Sequence, residues 1–207
     1  MSVWPWSDVV SLVRRYCKRL DENTGLLEFR CGAGANIPFF QSFRVQYHAI
    51  EGNPSMVERL QHQFPDLAAR IVVGDFTNRI SFQLKFDVVV DRAALTHNDT
   101  AAVREGLLLA WNAMSPGALF VGVDWFSTRF GEYGKGEPTP DPYTRADYRT
   151  GHFAGTRKVH VSDESHLREL LSQFEMSSLE EKCSRGVVPH DISQLAAWNF
   201  VVRKRNV

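Results

Sequence analysis

The sequence predicts an α/β fold of the doubly wound, Rossmann-like kind: a mostly parallel seven-stranded sheet, helices on both faces, the last strands antiparallel. Three observations carry this. Short apolar runs at 26–29, 45–50, 71–73, 86–90 and 118–124 alternate with helical patterns, as β-α repeats do. The fourth run, Phe86 to Val90, is almost wholly apolar, as a central strand covered on both faces must be. The first run leads into a glycine turn, Gly32-Ala33-Gly34, that opens a helix. Right-handed crossovers put the carboxyl ends of the strands on one edge, where ligands of such sheets bind.

Taken in order, residues 1–24 read as an N-terminal helical arm. Trp4-Pro5-Trp6 precedes Ser7 or Asp8, either of which can cap a helix to about Leu20, with Val9, Val10, Val13 and Tyr16 or Cys17 on one stripe. The two tryptophans suit a flap over a ligand, or an anchor packing the arm to the core. After the first strand and the turn, a helix holds Ile37, Phe39, Phe40 and Phe43, with Pro38 in its first turn, where a missing N–H costs little. Val45 to Ile50 is the second strand and ends in Glu51; Asn53-Pro54-Ser55 then opens a helix to about Phe64. Ile71 to Val73 is the third strand, closed by Gly74 and Asp75. A helix runs from about Asp99 to Met114, and Ser115-Pro116-Gly117 turns into the fifth strand, Ala118 to Asp124.

Residues 125–157 change character: they are rich in Gly, Pro, Thr, Tyr and Arg and lack periodicity. Beginning at the carboxyl end of the fifth strand, they read as a lid or substrate wall. Asp163 to Phe174 is a helix capped by Ser162 or Asp163, and Met176 to Cys183 and Ala196 to Val202 are two final strands. With no internal repeat and no sign of a second core, residues 1–207 read as a single domain.

Composition bounds the function. Lys plus Arg and Asp plus Glu are both 24, a balance that argues against a polyanion-wrapping surface and hence against nucleic acid. The three cysteines, Cys17, Cys31 and Cys183, have no metal-ligand spacing, so no metal is expected and reduced thiols are. No apolar run approaches the ~18 residues of a membrane span. A cytoplasmic monomer or homodimer, away from membranes, is the resulting expectation.

The chemistry lies in a row of acids at the sheet edge. Glu28, in the last part of the first strand, is unhelpful for phosphate but suits a ligand carrying an ammonium group, directly or through water. Glu51, ending the second strand, can accept both ribose hydroxyls. Asp75 can accept from an adenine amino group while Phe76 or Met56 covers the ring. Asp91 ends the fourth strand beside Arg92. Such a set, opposite a glycine turn, points to S-adenosylmethionine.

Here the chain resembles the class I S-adenosylmethionine-dependent methyltransferases. The resemblance rests on Leu27-Glu28-Phe29-Arg30-Cys31-Gly32-Ala33-Gly34, Ala49-Ile50-Glu51-Gly52-Asn53, Val73-Gly74-Asp75-Phe76, Phe86 to Arg92, and Met114-Ser115-Pro116-Gly117-Ala118. Asp91-Arg92-Ala93-Ala94-Leu95 and His160-Val161-Ser162 also resemble the small-molecule members, including the thiopurine methyltransferase-like group. The resemblance implies that Glu28, Gly32 and Gly34 hold the methionine part, Glu51 the ribose, and Asp75 with Phe76 the adenine. The cofactor set is then Glu28, Arg30, Cys31, Gly32, Ala33, Gly34, Glu51, Gly52, Asn53, Met56, Asp75, Phe76 and Asp91, with S-adenosylhomocysteine as product.

One position departs from the family turn, Gly-x-Gly-x-Gly: its first glycine is Arg30. If that position needs a positive φ, a non-glycine residue there costs on the order of 1–3 kcal/mol. Arg30 should lean toward the open mouth and pair with Glu28, a nearby acid or the cofactor's carboxylate. The competing reading is that it partly blocks the cleft of a non-catalytic relative. Methyl transfer demands mainly positioning, with a base only for a protonated nucleophile. His97 is the candidate base, and Arg92 can bind an anionic small molecule or pair with Asp91. Trp6, Trp125, Phe126, Tyr133, His152 and His160 are candidates for the substrate wall. A nicotinamide dehydrogenase would want a third glycine where Asn36 or Ile37 stands and leaves Glu28 and Asp75 unexplained.

Overall fold

The computed structural model describes residues 4–188 and 194–206. The chain runs α1 (Ser7–Tyr16), β1 (Gly25–Phe29), α2 (Ile37–Gln41), β2 (Gln46–Glu51), α3 (Pro54–Gln63), β3 (Ile71–Val73), β4 (Phe86–Arg92), α4 (Thr100–Ala113) and β5 (Met114–Phe126). Three short strands follow, β6 (Glu137–Pro138), β7 (Thr144–Ala146) and β8 (Lys158–His160), then α5 (Glu164–Leu170), β9 (Glu175–Ser184) and β10 (Leu195–Arg203). The main sheet has seven strands in the order β3-β2-β1-β4-β5-β10-β9. Pairings from β3 to β5 are parallel, and β10 pairs antiparallel with both β5 and β9. The order reverses between β1 and β4, and that is the switch point at which ligands of such sheets bind.

Strand alternation divides the core in two. Leu26, Val88, Val90, Leu119 and Val121 face a cluster with Val9 and Val13 of α1, Phe40 of α2 and Leu60 of α3. Their neighbours Leu27, Phe29, Val89 and Phe120 face the other cluster, with Leu107 of α4 and Leu167 of α5. Successive side chains of a strand point to opposite faces, so one run of apolar residues fills both layers. Each buried Leu, Val or Phe contributes about 1.5–3 kcal/mol relative to exposure.

Several boundaries differ from expectation. α1 ends at Tyr16 rather than near Leu20, and its N-cap is Trp6, without a side-chain cap. Asp8 lies one residue inside the helix and so does not cap it; its carboxylate reaches across to Lys182 of β9, at 2.6 Å. The helix after the turn is only five residues long. Ser115-Pro116-Gly117 is not a turn ahead of β5 but an irregularity inside it, between the pairs Phe86–Met114 and Val88–Leu119. Of the two caps the sequence offers for α5, Asp163 is the one used; Asn53 and Asp99, at the expected starts of α3 and α4, accept backbone N–H groups as their caps.

The aperiodic stretch after β5 is built rather than irregular. β6, β7 and β8 form an antiparallel sheet over a small core of Phe130, Tyr148, Phe153, Val159 and Val161. A parallel bridge from Ser127 to Ser162 fastens it beside the carboxyl end of β5. Strands of two or three residues are too short to show a period, so this sheet is invisible in the sequence.

Candidate functional site

The carboxyl ends of β1, β2 and β4 meet at a cleft in two halves. One, about 390 Å³, is lined by Trp6, Glu28, Arg30 to Ala33, Ala35, Asn36 and Arg92. The other, about 520 Å³, is lined by Arg30, Glu51, Gly52, Asn53, Gly74, Asp75, Phe76, Ala94, His97 and Asn98. Arg30 belongs to both.

The turn itself is tightly made. Arg30 has φ 51°, Gly32 φ 55° and Gly34 φ 79°. Gly32 N–H donates to Glu51 Oε2 at 3.0 Å, and Asn53 N–H to Glu51 Oε1 at 3.0 Å. The Gly34 N–H is spent on the Cys31 carbonyl at 2.9 Å. The N–H groups of both glycines are thus satisfied within the protein, and the turn presents carboxylate rather than free donors to the cleft. Gly34 does not line the cleft: a Cβ there would meet Leu60 Cδ2 at 2.7 Å and Ile37 Cδ1 at 3.0 Å. Its role is to let the turn close onto α3.

Glu28 is 2% exposed, and both its oxygens are engaged. Asn36 Nδ2 donates to Oε1 at 2.7 Å, and the Tyr47 hydroxyl donates to Oε2 at 2.6 Å. Burial raises the Glu28 pKa, against the pull of these two donors. Burial likewise raises the Cys31 thiol beside it. Asn36 also accepts the Trp6 N–H at 3.1 Å, which ties the arm to the rim. Arg30 is exposed, and among the described residues no ion pair involves it; the expected pair with Glu28 is absent. Glu28 instead faces the α1–α3 layer, where Asn36 and Tyr47 hold it.

Asp75 is exposed and folds on itself, accepting from the Thr77 N–H at 2.9 Å and the Thr77 hydroxyl at 2.7 Å. Phe76 stacks on Phe29, centroids 4.9 Å apart, and offers its remaining surface to the cleft. Met56 packs into the α1–α3 core and is not among the cleft lining.

Asp91 and Arg92 do not pair, because neighbours in a strand point to opposite faces. Asp91 is fully buried, away from the cleft, and accepts from Leu95 N–H at 3.1 Å and Trp125 Nε1 at 2.6 Å. Burial pushes its carboxyl up to about 7. Trp125 is correspondingly a core residue, 1% exposed and packed edge-on against Phe200, not part of a substrate wall. Arg92 pairs with Asp124, Nη2 to Oδ2 at 2.8 Å, and lies 3.3 Å from the Trp6 ring centroid.

A second cavity of about 490 Å³ opens beside the cleft, between the segments around Phe130 and Phe153 that flank the small sheet, β9, β10 and Asp8 of α1. Its walls include Phe126, Phe130, Phe153, His152, Lys182 and Cys183, and it shares Arg92 with one half of the cleft and His97 with the other. His97 packs edge-on against Phe126 at 5.8 Å. Burial, reinforced by the Arg30 guanidinium, pushes its pKa down to about 4, so it is neutral at pH 7. His152 lines this chamber, its ring against Phe153. Two other candidates lie elsewhere. Tyr133 bonds the Pro142 carbonyl and stacks under Arg145 inside the small sheet. His160 is fully buried between Thr100 and Ser162, its pKa lowered to about 4 by burial.

Sequence reasoning missed Asn36, Tyr47, Phe130, Phe153, Asp124 and the Asp8–Lys182 pair. Asn36 lies only eight residues from Glu28, but an asparagine after a glycine turn does not by itself say what it holds; the others reach the site through contacts between distant segments. Among the described residues, no three His, Cys, Asp or Glu side chains are grouped to hold a metal. No helix among them is long and apolar enough to cross a membrane.

Residues 27–121 match the profile of a family described as a methyltransferase domain. No curated protein sequence matches the chain. Among solved structures it is similar to an S-adenosylmethionine-dependent methyltransferase of Methanosarcina mazei, at 16% identity and TM-score 0.71, over 100% of both chains. It is similar to the 1,6-didemethyltoxoflavin-N1-methyltransferase of Burkholderia thailandensis, solved with 1,6-didemethyltoxoflavin and S-adenosylhomocysteine bound. That match has 16% identity and TM-score 0.66, over 96% of this chain and 77% of the other. An amino pentose methyltransferase of Micromonospora echinaspora, solved with S-adenosylmethionine bound, gives 19% identity and TM-score 0.62, over 96% and 89%. Residues 27–121 thus resemble a methyltransferase domain, and the chain as a whole shares the Rossmann-like fold of these solved S-adenosylmethionine-dependent methyltransferases.

Proposed function

We propose that the protein is an S-adenosylmethionine-dependent methyltransferase acting on a small-molecule nucleophile. One observation carries the reading: an acid-rimmed cleft and an apolar chamber meet at Arg92 and His97, as a donor site and an acceptor site must. The cleft suits the cofactor's chemistry. Glu51 presents a carboxylate fixed by two backbone N–H groups toward ribose hydroxyls, and Asp75 and Phe76 flank the place for adenine. Glu28, held by Asn36 and Tyr47, supplies negative potential toward the ammonium group through water.

When bound, the cofactor supplies an electrophilic methyl group on a sulfonium. The chain's residues position and enclose the acceptor. Phe126, Phe130 and Phe153 hold an apolar body and keep water from it. Neutral His97 accepts a hydrogen bond from the nucleophile and orients its lone pair toward the cleft. Arg92, locked by Asp124 and the Trp6 face, fixes the wall between the two sites.

Isothermal titration with S-adenosylmethionine and S-adenosylhomocysteine is the first test, with saturable binding expected. Incubation of a metabolite extract with methyl-labelled cofactor then identifies the acceptor. Absence of binding at millimolar ligand would favour the rival reading, in which Arg30, lining both halves of the cleft, belongs to a non-catalytic relative.

A further inference from the structure

Resting on that cofactor reading, we propose that Arg30 is the receptor for the cofactor's α-carboxylate, so that the cleft selects nucleosides bearing an intact amino-acid tail. Three observations meet at this residue. Its backbone holds φ 51° where glycine would sit without strain, so the side chain is retained at a cost. The guanidinium is exposed, and among the described residues it has no ion-pair partner, whereas Arg92, Lys182 and Arg129 each hold a carboxylate. It lines both halves of the cleft, so a ligand spanning them passes beside it.

Chemistry then selects the partner. A sulfonium and an ammonium are repelled by a guanidinium, and ribose and adenine carry no charge. The one anion in the ligand is its carboxylate, which matches the planar fork of five N–H donors. The acids around the rim, Glu28, Glu51 and Asp75, suit the cationic and hydroxyl groups, which leaves the carboxylate to Arg30. The strained backbone also fixes where the side chain departs from the turn.

The test is a two-by-two titration. Wild type and Arg30→Gly are titrated calorimetrically with S-adenosylhomocysteine and with its decarboxylated analogue, which keeps the ammonium, thioether and nucleoside. A charge-assisted bond of the usual strength corresponds to roughly a tenfold to hundredfold preference of the wild type for the carboxylated ligand. Arg30→Gly is expected to lose that preference while binding the decarboxylated analogue as well as wild type does. Its Tm is expected at or above the wild-type value, because the substitution relieves the positive φ. Arg30→Lys is expected to recover part of the preference. An unchanged preference in Arg30→Gly, or an equal loss of affinity for both ligands, overturns the proposal and leaves the cofactor reading standing. Wild type binding neither ligand overturns the cofactor reading itself, and this inference with it.

Discussion

Trp125→Phe isolates a buried proton. The Asp91 carboxyl is wholly inaccessible, and burial moves its pKa from 3.8 to about 7. Between those two values the folded protein holds a proton that the unfolded chain has released. Stability therefore falls as pH rises through this window, and the full penalty, on the order of 4 kcal/mol, is present above pH 7. The Trp125 Nε1 donor at 2.6 Å and the Leu95 N–H at 3.1 Å limit that penalty. Phenylalanine keeps most of the packing against Phe200 and removes the first donor. A hydrogen bond to a charged group contributes about 1.5–3 kcal/mol, so the folded pKa should rise by roughly one to two units. Urea unfolding of wild type and variant at pH 5 and pH 9 measures this. At pH 5 Asp91 is protonated in both proteins, and the difference reflects lost packing and a weaker neutral bond. At pH 9 it should be larger by about 1–3 kcal/mol. The comparison cancels the other titrating groups. A difference that does not change between the two pH values would refute the assignment of Asp91 as the buried titrating group held by Trp125.

Gly34→Ala should destabilise the fold by about 2–4 kcal/mol, since it combines φ 79° with contacts to Leu60 and Ile37 that a methyl group cannot make; denaturant midpoints would show it. His97→Asn should lower kcat on the order of 10- to 100-fold, with little change in the calorimetric affinity for S-adenosylhomocysteine. Because burial holds His97 near 4, any acid limb it causes in the rate profile of the wild type lies near pH 4 rather than 6.5; the same depression makes it subtract stability as pH falls from 6.5 toward 4. Phe153→Ala should raise KM for the acceptor more than it lowers kcat, because Phe153 walls the chamber and packs on Phe126 and Phe130; steady-state kinetics with the identified acceptor separates the two.

Much of the fold is legible without coordinates. The order of strands and helices, the acids at their carboxyl ends and the helix starts at Asn53, Asp99 and Asp163 all follow from rules acting over fewer than about a dozen residues. The strained backbone at Arg30 is legible too, since the residue replaces a glycine in a recognisable turn. The misplaced candidates share one cause. Trp125 looked like chamber wall because it follows the fifth strand, but that strand continues to Phe126 and turns the indole inward to Asp91. Arg92 looked like a partner for Asp91, yet strand alternation separates them and the approach of β5 supplies Asp124. His160 and Tyr133 have polar partners that only the folding of the small sheet brings near.

The sequence by itself determined the doubly wound sheet and the acid-rimmed edge opposite a glycine turn, because hydrophobic period and turn chemistry are local. Only the tertiary structure decided which acids face the cleft and which are buried. It also created the chamber, which is enclosed by α1, the segments flanking the small sheet, β9 and β10. These segments lie more than a hundred residues apart at the extremes, and their meeting is fixed by packing and cross-strand pairing that no short stretch of chain encodes.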